Sequence, residues 1–374
     1  MIARITRALA RADIFAYACI WLIVLLVVGT LAQRSIGLYL AQQRYFSAWF
    51  AMFGPVPLPG GRLTMAVVFI SLSAYLLQRK TWSWRRTGLL ISHIGALLLL
   101  VGGFVTAYFS SEGLMMIREG EATNFVSDDH AMELAVTNHA PVDHDEITAF
   151  ADRRLAPGAI LEDPTLPGRM EVIEYAPSCQ PRRRSEAAPA DTRGLARDYR
   201  LETLPPGAEP EQARACLALR LSGVGDADGR YLLVQDSARQ ESFRGPAGET
   251  FELALRPART YLPFRIELID FEKKLHPGTR MAKSYKSTIN LIEGDISRRV
   301  VIQMNEPLRH RGYTFYQSSF IEGGPRETSI LSVVRNRGRL FPYISSLIMC
   351  FGLLIHLGMM IWRRPQVAAS GGAR

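Results

Sequence analysis

The stretch GLLISHIGALLLLVGGFVTAYF, residues 88–109, is apolar for long enough to cross a hydrocarbon core of about 30 Å, and it carries one imidazole, His93. Outward from it lie three further apolar blocks. The first is residues 14–33, IFAYACIWLIVLLVVGTLAQ; the second centres on 63–77 and reaches about 60–78 with its flanks; the last is 341–362. Between the third and fourth blocks runs a long polar segment, 110–340. A mean hydropathy near zero therefore averages two unlike parts. That division argues for a membrane anchor with an attached domain and against a soluble enzyme.

Basic residues orient the blocks. Arg4, Arg7 and Arg11 precede the first, Arg79, Lys80, Arg85 and Arg86 lie between the second and third, and Arg363 and Arg364 follow the fourth. Lys and Arg collect on the cytoplasmic side of a membrane. All three clusters agree if both termini and a short tail, 363–374, are inside, with 34–62 and 110–340 outside. The expectation is an integral membrane protein with four transmembrane helices and a large β-rich extracytoplasmic domain. Much of the formal charge of +9 belongs to these flanking clusters. No pattern gathers it beside interleaved aromatics, which argues against nucleic acid. The first block reads as a retained anchor: Thr30-Leu31-Ala32 resembles a weak cleavage site, but the apolar run is long for a signal peptide.

Outside, residues 38–53 carry Leu38, Tyr39, Tyr45, Phe46, Trp49 and Phe50, which suits a segment lying at the headgroup level. Period-two alternation in 264–269, 287–292, 299–304 and 313–317 predicts strands. The Arg, Pro and Ala bias of 177–211 reads as an insertion or mobile loop. There is no P-loop, dinucleotide fingerprint or nucleophile elbow, and no catalytic constellation. Of four cysteines, Cys19 and Cys350 lie in apolar blocks; Cys179 and Cys216 lie in the polar middle, where an oxidising compartment would allow a disulfide.

Seven histidines occur. His130, His139 and His144 share a stretch with Asp128, Asp129, Asp143 and Asp145, spaced like a solvated acidic loop rather than a metal site of fixed geometry. His276 and His310 sit beside basic residues and read as surface positions. His93 and His356 lie inside apolar spans, where a polar side chain is costly and needs a partner. Counted from the cytoplasmic ends, both sit roughly 8–9 Å deep. Two imidazoles at one depth suit opposite faces of a haem, making His93 the candidate axial ligand and His356 a weaker one. A plain hydrogen bond to a neighbouring helix is the bland alternative for each. Gly88, Gly95 and Gly102 form a small-residue seam for helix packing. His93 points about 160° from Gly95, onto a face of Leu89, Leu90, Ala96, Leu97 and Leu100 that meets lipid unless a partner covers it. His356 shares a stripe with Ser345, Met349 and Gly352.

Three passages resemble the ResB family of System II (Ccs) cytochrome c biogenesis: GTLAQ at 29–33 followed by GLYLAQQRYFSAWF at 37–50; HIGALLLLVGGFVTAYFSSEGLMMIREGE at 93–121; and NEPLRHRGYTFYQSSF at 305–320. The resemblance implies a subunit of a bacterial inner-membrane complex that carries b-type haem across the membrane for covalent attachment to apocytochrome c. It implies that His93 ligates haem transiently, with the second ligand supplied by a CcsA-type (ResC) subunit. The tryptophan-rich haem-handling segment of that partner is absent from this chain, whose five tryptophans are scattered. The chain is then a non-catalytic member of the attachment complex. The rival expectation is a structural scaffold that never touches haem.

Overall fold

A computed structural model describes residues 2–78, 82–141, 144–204, 214–279, 282–321 and 326–370. Arg79, Lys80, Asp143, residues 205–211 of the expected insertion and residues 371–374 of the expected tail lie outside the described residues, as do the side chains of Arg363 and Arg364. The chain divides into two compact units, Met1–Ser111 with Arg335–Arg374, and Glu112–Val334.

The first unit is helical. Its helices are α1 (Ile2–Leu9), α2 (Ala12–Ile36), α3 (Leu38–Ala41), α4 (Gly61–Leu76), α5 (Thr87–Phe109) and α6 (Phe341–Ser370). Among the described residues, three segments are long and apolar enough to cross a membrane: Ala12–Ile36, Trp84–Phe109 and Phe341–Trp362. Their side chains face outward, as with Leu347 at 72% exposure and Leu354 at 65%, a pattern that suits lipid and would be costly in water. This is a membrane protein. α4, also apolar, has 16 residues and so a length of about 24 Å.

Gly37, at φ +78°, ends α2 in a conformation that favours glycine. The chain then folds back along α2 through α3, a π-helical turn (Gln42–Phe46) and a hairpin of β1 (Phe50–Phe53) and β2 (Val56–Pro59). Leu25, Ala41, Tyr45 and Ala51 are buried together, with Trp21, Phe46 and Phe53 against them. Trp21 Nε1 donates to the Pro59 carbonyl at 2.8 Å. A Cβ on Gly29 would stand 2.7 Å from the Phe46 ring, so glycine is required where the returning turn crosses α2. The expected headgroup belt is therefore only half correct. Leu38, Tyr39, Trp49 and Phe50 are exposed, but Tyr45 and Phe46 turn inward as core.

α5 and α6 pack antiparallel through the glycine seam. The Gly88 Cα approaches the His356 backbone, Gly352 approaches Ser92, and a Cβ on Gly95 would meet Met349 N and Ser345 O at 3.0 Å. Ser92 Oγ donates to the Met349 carbonyl at 3.2 Å across this contact. Close backbones and small polar bonds are what hold helices together in lipid, where apolar side chains gain little by association.

The second unit is β-rich. Its strands are β3 (Ser110–Arg118), β4 (Ala122–Asn138), β5 (Glu146–Ala151), β6 (Ile160–Leu161), β7 (Arg169–Arg183), β8 (Tyr199–Thr203), β9 (Arg214–Ser222) and β10 (Gly229–Val234). There follow β11 (Glu241–Arg244), β12 (Thr250–Leu275), β13 (Ala282–Glu293), β14 (Ile296–Gln303), β15 (Leu308–His310), β16 (Tyr313–Ile321) and β17 (Thr328–Asn336). One sheet has the order β14-β13-β12-β4-β3-β17-β16-β15, with β11 on β12 and β5 on β4. The other runs β10-β9-β7-β6, with β8 on β7. All four stretches of expected alternation fall on strands, in β12, β13, β14 and β16; Met304 alone lies beyond the end of β14.

β12 serves two cores in turn. Phe251, Leu253 and Leu255 enter the first, beside Phe150, Leu217 and Leu219; Leu262, Phe264, Ile266 and Leu268 enter the second, beside Ile289, Phe315 and Leu331. The inward positions change from odd to even between 255 and 262. Register shifts in its pairing with β4 fall there, at Pro257/Arg259 and Tyr261/Ile266. A shift of one residue exchanges the faces of a strand, which is how one segment can feed both cores.

The segment 177–211, expected as an insertion or mobile loop, is strand at both ends of its described part and turn and 3-10 structure between them. β7 extends to Arg183 and β8 pairs back on it, with Arg182 bound to Glu202 at 2.9 Å. Cys179 and Cys216 form a disulfide between β7 and β9, Cα atoms 6.0 Å apart, and both are fully buried. Composition misread this stretch because most of its arginines are exposed while its few buried residues are Cys179, Thr192 and Ala196.

Candidate functional site

His93 stands on α5 and is half-buried. Its Nδ1 lies 2.6 Å from the Leu89 carbonyl one turn earlier. A carbonyl can only accept, so this bond places the proton on Nδ1 and leaves the Nε2 lone pair available. That is the tautomer a metal ligand uses, its second nitrogen fixed by a backbone acceptor. The ring also packs on Tyr75 of α4, centroids 5.0 Å apart with 38° between planes. The expected lipid-facing leucine face is thus partly covered from within the chain. Leu89, Leu90, Ala96, Leu97 and Leu100 are half-buried, whereas Ile94 and Leu99 are the exposed ones.

His356 does not share the depth of His93. It sits against Gly88, while the register of Ser92 on Gly352 brings His93 level with the neighbourhood of Phe351. The two histidines are therefore about five residues, or roughly 8 Å, apart along the helices. They also lie on different sides of α5, His93 toward α4 and His356 along the seam with α6. The expectation of one depth fails because α6 runs on past the level at which α5 begins. Nothing in this register brings the two rings onto one face, so His93 remains the ligand candidate and His356 the weaker one.

Two other histidines, His139 and His310, are held by carboxylates. His139 bridges Asp145 at 2.9 Å and Glu252 at 3.3 Å, and those hydrogen bonds raise its pKa. His310, expected at the surface, is half-buried: it meets Glu293 at 3.0 Å and packs edge-on against Phe264. Burial pushes the Glu293 carboxyl up, but Arg311 and His310 outweigh it and hold it below its usual range. His276 is exposed, as expected. Among the described residues no group of three or more His, Cys, Asp or Glu could hold a metal ion.

Tyr75 was not legible as a partner of His93, since helix rotation alone cannot say which neighbour covers a face. By contrast, GTLAQ and the passage after it now have a physical reason: Gly29 of one receives Phe46 of the other. The 305–320 passage forms the β15–β16 hairpin, with Arg311 and Gly312 at positive φ in its turn.

The model of the ResB-like family matches residues 215–333. That span includes the β15–β16 passage and leaves out the two passages of the helical unit. The chain is also 25% identical over 305 residues, 78% of its length, to Protein NrfI of Wolinella succinogenes. The chain spans about 29% of that relative's length. The resemblance to the ResB family, expected from the sequence, is shown by these two matches.

Proposed function

We propose that this protein takes part in cytochrome c biogenesis, as a subunit of the membrane complex that delivers haem for covalent attachment to apocytochrome c. The observation that carries the reading is His93: an imidazole in an apolar helix, its Nδ1–H committed to Leu89 and its Nε2 free of that bond. Bound there, haem would supply an iron centre kept in ligand-defined register as it crosses the bilayer. The chain's own part is to orient one ring, through Leu89 and Tyr75, on the side of α5 away from the α6 seam. The second axial ligand comes from a CcsA-type (ResC) subunit on this reading, since His93 turns toward α4 while His356 lies along the α6 seam.

The same reading makes α4 a fourth, short crossing, its outer end completed by the folded-back segment that packs on α2. Non-helical backbone at such depth is tolerated where protein covers it, as Tyr45 and Ala51 do here. The chain then sits in the bacterial inner membrane with its basic clusters on the cytoplasmic side and the β unit outside. The buried Cys179–Cys216 disulfide supports an oxidising location for the β unit, by an argument independent of charge.

The test is His93→Ala in the co-purified membrane complex, read by a reduced-minus-oxidised spectrum and by the yield of mature cytochrome c. Loss of the haem bands with the complex still assembled is the expected result. Unchanged bands and unchanged maturation would instead establish the scaffold reading, which is favoured by the cover that Tyr75 gives the ring.

A further inference from the structure

A polar cleft of about 380 Å³ opens in the β unit between β4, β12 and the loop that joins β10 to β11. On β12, Phe251, Leu253 and Leu255 point into the core, so Glu252, Ala254 and Arg256 lie on the opposite face and line the cleft. Alanine at the middle position leaves room between the two charged ends.

One end holds two guanidinium groups for one carboxylate. Arg256 stands opposite Glu133 in the β12–β4 register, and its Nε donates to Glu133 Oε1 at 2.9 Å. Both side chains are largely buried, at 15% and 9% exposure. Arg256 Nη2 is buried too, and it has no hydrogen-bond partner among the described residues. Arg259, just past the strand irregularity, lies over the Phe125 ring at 4.1 Å. Burial, and then the charge of Arg256, hold its pKa below the usual arginine value. The other end is acidic: His139 is shared between Asp145 and Glu252.

Two guanidinium groups that share one carboxylate leave a positive charge to balance, and a carboxylate is the acceptor that guanidinium geometry fits best. We propose that the Arg256–Arg259 end of this cleft binds a carboxylate borne by an incoming ligand, held by Arg259 and balancing the second positive charge that Glu133 leaves uncompensated. The chemistry is shared by the propionates of a porphyrin and the free carboxylate of a polypeptide. The inference does not rest on His93.

The test uses the full-length chain in detergent micelles. Four probes are titrated calorimetrically: haem, haem dimethyl ester, and one short peptide with its C-terminus free or amidated. The titrations are repeated in a His93→Ala background, which removes haem ligation by α5 from the signal. The expected result is that an acid binds about tenfold or more tightly than its ester or amide. Arg259→Gln should remove that preference while the disulfide-linked unit keeps its melting temperature. Arg256→Gln strands Glu133 and serves only as a second variant if it folds. Whichever acid shows the preference identifies the source. Binding of neither acid, equal binding of acid and blocked probe, or a preference that survives Arg259→Gln would overturn the proposal.

Discussion

The α5–α6 contact and the β unit's cores are packed on opposite principles. In the helical unit the contact is made where side chains are missing: Gly88, Gly95 and Gly352 let backbones touch, and larger apolar residues face outward. In the β unit the contact is made where side chains are large, with Phe150, Phe251 and Phe315 fully buried. The reason is the solvent. Water drives apolar side chains inward, whereas lipid is indifferent to them and rewards only close fit and satisfied polar groups. The same leucine therefore means core in one unit and perimeter in the other.

This contrast can be broken most forcefully at the seam. Gly88→Val would drive a side chain into the His356 and Gly352 backbones, and no rotamer relieves a clash with backbone. The expected outcome is loss of the folded helical unit, seen as aggregation on extraction into mild detergent. A variant that extracts and melts like the parent would refute the seam.

Replacing Cys179 and Cys216 by serine should act on the other unit alone. Their separation of 37 residues puts the loss at about 4 kcal/mol in the chain-entropy picture. Thermal melts with and without reductant measure it, and the helical unit should not respond. A smaller effect is expected from Tyr75→Leu, which removes the ring packed on His93 while keeping the helix apolar. About 1 kcal/mol of helical-unit stability should be lost, with a shift in any haem spectrum that His93 governs.

The smallest effect belongs to the surface of the β unit. His139 has a raised pKa because of Asp145 and Glu252, so the stability it adds is complete below about pH 6.5 and fades as pH rises through its folded value. Asp145→Asn should lower β-unit stability at pH 5.5 and leave it unchanged at pH 9. Both partners are well exposed, which keeps the difference within about 1 kcal/mol. Equal losses at the two pH values would show that Asp145 acts by packing instead.

What could be read in advance divides along the same line. Seven-residue glycine spacing named the seam, and period-two alternation named four strands, because each pattern states a local geometry. The segment 177–211 was misread because its order comes from the Cys179–Cys216 bond and the pairing with β8 and β9, all partners distant in sequence. His310 was misread likewise, since Phe264 and Glu293 reach it from other strands.

From the amino-acid sequence alone came the apolar spans, the basic flanks, the β-rich character of the second unit and the choice of His93. These follow from composition and periodicity, which are properties of a segment by itself. Only the tertiary structure decided that His93 packs on Tyr75, that His356 lies elsewhere in depth, and that Arg256 and Arg259 meet in one cleft. Those facts depend on register and helix stagger between segments far apart in the chain, and no local pattern encodes either.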